Sequence, residues 1–193
     1  MPNWCNNTVE VYHKDPAKLQ AFVDAVNEGK MCDFILPVPE DLKIVAGSVG
    51  DPVEQAELER KTAENHEKYG AGNWYDFCVS RWGTKWDVEP YDKVEFDAGG
   101  VSFGFDSAWA PPCGIYDAMV EQGFEVRAMY YEPGMNFAGV WDNGSDDYYE
   151  IPSTSEACRE ELPAELDEAF GISENMQMWE EENQEEEEEN DTK

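Results

Sequence analysis

The spacing of apolar residues changes from alternate to helical within the first 26 residues of the chain. Val9 and Val11 alternate with polar neighbours, which is the pattern of a strand with one buried face. Leu19, Phe22 and Val26 then recur at helical spacing, after an Asp-Pro pair of the kind that begins a helix. The sequence therefore predicts a strand that leads directly into an amphipathic helix.

The rest of the chain continues this mixture of strand and helix patterns. Residues 94–106 alternate around a Gly-Gly pair, as in a hairpin; residues 112–122 have helical spacing, and residues 124–132 return to a strand pattern. Strand, helix, strand pair, helix, strand is the order of a split β-α-β sheet. We therefore predict an α+β, ferredoxin-like antiparallel sheet with helices on one face, and extra C-terminal strands at residues 136–141 and 148–151.

One segment departs from this core pattern. Residues 31–38 carry an apolar run that leads into Pro37-Val38-Pro39, which favours an edge or crossing segment because proline lacks the backbone donor of a central strand. A capping box at residues 51–54 then begins a helix with many charges and few apolar residues. We interpret residues 45–72 as a helical insertion on the surface of the domain.

The C-terminal residues have a different composition from the rest. A second capping box at residues 153–156 predicts one or two short helices, which would complete a ferredoxin-like domain over residues 1–171. Residues 180–193 hold nine acids and one lysine. Such a segment repels itself and lacks apolar residues to bury, so residues 172–193 are predicted to be a disordered acidic tail.

Acidic residues outnumber basic ones by 44 to 13, which gives a net charge of −31. Removing the −8 of residues 180–193 from that total leaves −23 on the remainder, so the acidity belongs to the domain as well as to the tail. A chain with this charge repels polyanions, which disfavours direct nucleic-acid binding. The chain also lacks a run of roughly 18 to 20 apolar residues and a secretory signal, so we expect no membrane partner and a cytoplasmic protein.

The chain offers little material for catalysis or metal binding. It has two histidines and five scattered cysteines without a C-x-x-C pair, and we interpret the cysteines as reduced thiols. Cys5 and Cys113 lack an activating cation nearby in the sequence, which favours inert thiols. We predict no catalytic residue, no metal site and no cofactor, and hence a protein that is not an enzyme.

Two local features leave alternatives open. Pro2 would become a secondary amine if Met1 were removed, and such an amine could act as a base in a small-molecule enzyme, although the negative field opposes the lowered pKa that this role needs. The string DNGSDD at residues 142–147 is typical of a hairpin turn and could alternatively hold a weakly bound cation.

Three strings rich in tryptophan give the chain a resemblance to a known family. They are MPNWCNN at residues 1–7, WGTKWD at residues 82–87 and FDSAWAPP at residues 105–112. In this order they resemble the YubB-type ferredoxin-like domain family of phage- and plasmid-encoded proteins of unknown function. The resemblance covers most of residues 1–141 and implies the same sheet and a protein of a mobile element that works inside a bacterial host.

The same strings allow two interpretations of their tryptophans. Trp82, Lys85 and Trp86 could form an aromatic platform that binds a peptide or a nucleobase. Alternatively, the indoles fill the core, in which case Trp4 and Trp109 complete one buried aromatic cluster. The sequence favours the core.

The excess of carboxylates also has two interpretations. They could imitate the phosphate array of duplex DNA and so bind a basic cleft of a host protein, in an anti-defence or host-takeover role. They could instead serve only solubility, and the oligomeric state stays open. The candidate partner-binding residues are Glu54, Glu57, Glu59, Glu64 and Glu67 of the insertion and Glu180, Glu181, Glu182, Glu185, Glu186, Glu187, Glu188 and Glu189 of the tail.

Overall fold

A computed structural model describes residues 3–96 and 100–191, with only the helical backbone described at residues 185–191. It contains a five-stranded sheet and helices on both of its faces. The strands are β1 Trp4–Tyr12, β2 Val101–Ala108, β3 Glu125–Glu132, β4 Phe137–Asp142 and β5 Ser145–Glu150. The helices are α1 Pro16–Asn27, α2 Met31–Ile35, α3 Pro52–Tyr69, α4 Trp74–Phe77, α5 Cys113–Glu121, α6 Ser155–Glu161, α7 Ala164–Phe170 and α8 Ile172–Asp191.

The sheet is antiparallel throughout, in the order β2-β1-β3-β4-β5. Helix α5 connects β2 to β3, and these two strands flank β1 on either side. This arrangement is the split β-α-β unit of a ferredoxin-like sheet. The predicted α+β ferredoxin-like fold is therefore confirmed, and β4 and β5 are the extra C-terminal strands at one edge.

The main core lies on one face of the sheet, under α1, α2 and α5. Alternate residues of β1 point to it, among them Val9 and Val11, and they pack with Phe22 of α1 and Ile115 of α5. A second, smaller core lies on the opposite face of β3 and β4, where Ala138 and residues of α6–α8 pack together. Helices therefore cover both faces at this edge of the sheet, whereas the prediction placed them on one face, because the burial of α6–α8 depends on apolar residues of the far face of β3 and β4 that only the folded sheet brings to them.

The C-terminal acidic segment differs from the prediction of a disordered tail, because α8 occupies Ile172–Asp191. Ile172 is buried in the second core, and Met176 packs against it one turn later. Glu180 accepts hydrogen bonds from the backbone N–H and the hydroxyl of Ser155 at the start of α6. These contacts hold the first half of the helix against the domain, and composition alone did not reveal them.

Of the predicted hairpin at residues 94–106, the second side forms β2, and the described part of the first side, residues 94–96, is not a strand. Asn27 of α1 donates to the carbonyl of Val94 and accepts from its N–H, so that backbone is bound to a helix and not to a strand. The tip of the predicted hairpin, residues 97–99, lies outside the described residues. The N–H of Tyr91 donates to the carbonyl of Gly104, so this edge of β2 is partly paired with the segment around Tyr91.

Residues 31–38 also differ from the prediction. That segment begins with the short helix α2, where a crossing or edge segment was expected. The insertion contains the exposed helix α3, whose N-cap Asp51 accepts from Val53 and Glu54 as the capping pattern predicted. Within the described ranges, every helix is too short or too polar to cross a membrane.

Candidate functional site

The three tryptophan-containing strings meet at one end of the sheet. Trp4 begins β1 and pairs with Ala108 at the end of β2, and Trp109 follows directly. Thr84 lies in the loop between α4 and β2, and its hydroxyl donates to the carbonyl of Ala108 and accepts from the N–H of the same residue. Backbone pairing and one buried threonine therefore bring together residues from three distant parts of the chain.

An irregular turn positions the WGTKWD loop. Residues Cys78–Trp82 form a π-helical turn after α4, and it ends at Gly83 in the left-handed conformation. The ideal Cβ position of Gly114 at the start of α5 lies 2.0 Å from the carbonyl oxygen of Arg81, so the two backbones touch here. Turns of this type are rare and frequently occur at functional sites.

Trp82 belongs to the core, because it is 4% exposed and its indole N–H donates to the carbonyl of Leu36 over 2.8 Å. The other three tryptophans of the strings do not. Trp4 is 46% exposed, and Trp86 and Trp109 are each 40% exposed. The structure thus departs from the expectation of a single buried cluster, and it separates Trp82 from the predicted platform that included Lys85 and Trp86.

Two of these exposed rings, together with Tyr75, surround one lysine. The ammonium nitrogen of Lys85 lies 4.3 Å from the ring centroid of Trp86 and 5.5 Å from those of Trp109 and Tyr75. These distances fall within the range of cation–π attraction. Trp4 packs against Trp86, and their ring centroids are 6.2 Å apart. We call Trp4, Tyr75, Trp86 and Trp109 the tryptophan cluster, and Lys85 is its central cation.

The backbone at Trp109 is strained in a way that fixes this geometry. Trp109 has a φ of 69°, a left-handed conformation that is unusual for a bulky residue and costs of order 1–3 kcal/mol. Its N–H donates to the carbonyl of Asn3 over 2.9 Å, and its ring meets that of Tyr75 edge to face. Residues held in such conformations are concentrated at active sites and ligand-binding sites.

A cleft of about 280 Å³ adjoins the cluster and shares Lys85 and Trp86 with it. Its walls are largely apolar and include Val38, Trp74 and Trp82. The cleft is also lined by four charged residues, Asp33, Lys43, Lys85 and Asp87. The cluster and the cleft together form a continuous aromatic surface with a few charges, which is the usual composition of a binding site.

Asp87 closes the WGTKWD string and has a structural role. Its carboxylate accepts from the N–H groups of Cys32, Asp33 and Val88 at 2.8–3.0 Å. Burial raises the pKa of the Asp87 carboxyl, and the hydrogen bonds oppose that rise. By binding the first N–H groups of α2, Asp87 holds that helix against the loop that carries Lys85 and Trp86.

The thiols are poorly suited to nucleophilic chemistry. All five cysteines are free, and burial raises the pKa of every one of them, for Cys78 and Cys113 to about 12. At neutral pH such groups are protonated, whereas the thiolate is the reactive form. Pro2 lies outside the described residues, so its predicted alternative role stays a hypothesis.

The string DNGSDD forms the turn between β4 and β5. Asn143 and Gly144 both have positive φ, which is the conformation of a two-residue hairpin, and Asn143 accepts from the N–H of Val126. The hairpin interpretation is therefore confirmed. Among residues 3–96 and 100–191, no group of three or more His, Cys, Asp or Glu side chains is arranged to hold a metal ion.

The candidate acids of the insertion are exposed, but basic residues lie among them. Helix α3 carries five glutamates and three basic residues. Arg60 binds Glu57 and Glu64, and its hydrogen bond lowers the pKa of Glu57 to about 2. Glu59 accepts from Gln55, and Glu54 and Glu67 are exposed. The surface of α3 is consequently much less negative than its glutamates suggest.

The candidate acids of the C-terminal segment all lie on α8. This helix holds ten acids and no basic residue. Glu180 is used in the contact with Ser155, Glu181 accepts from Gln177, and Glu182 is exposed. Glu185, Glu186, Glu187, Glu188 and Glu189 continue the helical backbone.

The chain has a distant likeness to a solved structure. It is similar to the crystal structure of the protein api92 from Yersinia pseudotuberculosis, of the family DUF1281. The two sequences are 13% identical, the alignment covers 79% of this chain and 99% of api92, and the TM-score is 0.38. No family model and no curated protein matches the chain. A likeness at this level assigns no function.

Proposed function

We propose that this chain is a non-enzymatic binding protein and that the tryptophan cluster is the surface that contacts its partner. The observation that carries the proposal is a patch of three indoles, each at least 40% exposed, in which Trp86 and Trp109 lie around Lys85 and Trp4 packs against Trp86. Soluble proteins seldom expose such large apolar groups together unless the patch binds something. Tryptophan and tyrosine are also the residues that most often dominate the energy of protein interfaces.

The charge of the molecule supports a protein or peptide partner over a nucleic acid. A net charge of −31 repels polyanions at a distance, so a base would reach the cluster only against this field. A basic protein would be attracted by the same field and then held by the rings. The aromatic surface would supply the affinity, and the carboxylates would raise the rate of encounter.

The partner-binding role is tested by Trp86→Ala, with Trp179→Ala as its control. Trp179 is 64% exposed on α8, outside the cluster, so both variants remove one exposed indole. We expect Trp86→Ala to weaken capture of a partner from bacterial extract by at least tenfold, because truncation of a central interface aromatic commonly costs about 2 kcal/mol or more. Capture followed by mass spectrometry, then titration with the purified partner, measures this.

The control decides what a loss means. Trp179→Ala should bind as the wild type does, and both variants should keep the thermal midpoint of the wild type within a few degrees. Equal capture by wild type and Trp86→Ala would contradict the assignment of the cluster as the contact surface. So would a loss that appears only in Trp179→Ala.

Helix α8 favours a second candidate function, the mimicry of nucleic acid. Nine acids lie within residues 180–191. At a helical rise of 1.5 Å per residue, this corresponds to one negative charge per about 2 Å, against one per roughly 1.7 Å of duplex DNA. An extended chain would space the same charges at about 4.5 Å. The helical form therefore supports α8, and not α3, as the element that would occupy a basic cleft.

The mimicry proposal is tested by neutralising five charges in either of two places. We expect Glu185–Glu189→Gln to weaken partner capture and to flatten its salt dependence, because fewer counterions are released from the basic cleft. The matched control replaces Glu54, Glu57, Glu59, Glu64 and Glu67 of α3 by glutamine, which removes the same charge. Capture in a series from 50 to 300 mM salt, with duplex DNA as competitor, measures both.

The two variants separate local mimicry from a general field. If both weaken capture equally, the effect belongs to the net charge and α8 has no special role. If neither does, the carboxylates serve solubility. Loss in the α8 variant alone, together with competition by duplex DNA, would establish the mimicry.

The biological setting is part of the same proposal. The three strings that resemble the YubB-type family support an origin in a phage or plasmid and action in the cytoplasm of a bacterial host. In the structure, those strings supply three of the four rings of the tryptophan cluster. A host protein of a defence or DNA-processing system would then be the partner.

A further inference from the structure

The tryptophan cluster already contains a cation, namely the ammonium group of Lys85. Three rings lie within 5.5 Å of the Lys85 nitrogen, and they come from α4, the WGTKWD loop and the residue after β2. Among the described residues, no carboxylate lies within 4.0 Å of this nitrogen. In a chain with 44 acids, this lysine is held by aromatic faces and not by an ion pair.

We propose that the tryptophan cluster is a cation-binding cage and that Lys85 occupies it in place of a basic side chain of the partner protein. This inference rests on the proposed partner-binding function and names the chemical group that the surface recognises. Aromatic rings that surround one point bind cations through their negative faces. The partner side chain would enter the cage as the Lys85 side chain moves out to solvent.

The exchange is chemically easy for Lys85. Its ammonium is carried on a flexible four-carbon stem and is strongly hydrated, so it is stable outside the cage as well. Lys85 is half-buried, and Trp86 and Trp109 beside it are each 40% exposed. The cage is therefore open to solvent. The surrounding field draws an incoming cation toward the site. Lys85 therefore limits binding to cations that also gain contacts elsewhere on the surface.

The proposal is tested by whether one substitution raises or lowers the affinity for a lysine probe. Lys85→Met keeps an unbranched side chain that is one atom shorter and removes its charge, so the cage loses its competing cation. The probe is N-acetyl-lysine methylamide, whose side-chain ammonium is its only charge. The uncharged comparison compound is N-acetyl-norleucine methylamide. The indole N–H resonances of Trp4, Trp86 and Trp109, followed by NMR during titration of the full chain, give the dissociation constants.

We expect the probe to bind Lys85→Met about two- to fivefold more tightly than the wild type, which corresponds to the loss of one weak cation–π competitor. The control is Lys18→Met, which makes the same change in net charge. Lys18 lies on α1, which follows the end of β1 opposite to Trp4. This variant should bind the probe as the wild type does. Norleucine should shift none of the three indole resonances in any variant.

Several results would overturn the cage. Equal or weaker binding of the lysine probe to Lys85→Met would mean that Lys85 is a contact for the ligand and not its substitute. An equal gain in Lys18→Met would assign the effect to net charge, and an equal response to norleucine would assign it to apolar contact. The proposed function fails separately, since it depends on partner capture by Trp86→Ala and not on the lysine probe.

Discussion

Replacement of Gly114 by alanine is expected to destabilise the protein by roughly 1–3 kcal/mol. The added Cβ would lie 2.0 Å from the carbonyl oxygen of Arg81 and 2.9 Å from its carbonyl carbon. Both atoms are backbone, so the start of α5 must move away from the π-helical turn, and overpacking of this kind commonly costs 1–3 kcal/mol or more. The intrinsic helix preference of alanine, up to about 1 kcal/mol, offsets only part of this. Urea denaturation followed by circular dichroism measures the change.

Gly50→Ala is the matched control for this substitution. Apart from its chain neighbours, no heavy atom of the described residues lies within 4 Å of the ideal Cβ position at Gly50. A surface change of this kind is expected to alter the free energy of unfolding by no more than about 0.5 kcal/mol. A Gly114→Ala protein as stable as Gly50→Ala would show that α5 and the turn at Arg81 are not in contact as described.

Asp87→Ala is expected to cost about 2–3 kcal/mol of stability. The substitution removes the acceptor for three N–H groups. Two of them, those of Cys32 and Asp33, lie in the first turn of the short helix α2. Loss of a cap and unsatisfied buried donors each contribute on the order of 1 kcal/mol or more. The matched control is Asp92→Ala, since Asp92 is exposed and accepts no hydrogen bond from the described residues. The midpoint of urea unfolding distinguishes the two variants.

The same variant has a second expected effect, on the tryptophan cluster. Asp87 lies next to Trp86, so loss of its contacts with α2 should loosen the loop and increase the solvent exposure of Trp86. A red shift of tryptophan fluorescence in the folded state would report this. Unchanged stability in Asp87→Ala would mean that water replaces the carboxylate and that α2 does not depend on this residue.

The strands and helices whose apolar residues repeat at a regular spacing could be predicted from the sequence. Val9 and Val11 predicted β1, and the helical spacing from Leu19 to Val26 predicted α1. In both elements the buried face is visible in the spacing of nearby apolar residues. The failures involve partners that are distant in sequence. The backbone of Val94 bonds to Asn27, 67 residues away, and Ile172 is buried by a core formed by other elements.

The tryptophan cluster was only partly visible in the sequence. Trp4 has the same parity in β1 as Thr8 and Glu10, which face away from the main core, so the alternation indicated an exposed position. The general preference of tryptophan for buried sites outweighed that signal in the prediction. Nothing local marks Trp109 as left-handed or Tyr75 as its neighbour, because both depend on how β2 and α4 are placed in three dimensions.

The π-helical turn at Cys78–Trp82 fixes the number of residues between two anchored points. On one side, the indole N–H of Trp82 is bound to Leu36, and on the other, Thr84 is bound to both backbone groups of Ala108. A chain one residue shorter would have to give up one of these anchors, and Trp86 would then turn away from Trp4. We therefore expect an inserted or deleted residue to be tolerated better in the surface loop before α3, where the ideal Cβ positions of Gly47 and Gly50 meet no described side chain or backbone within 4 Å, than in this turn.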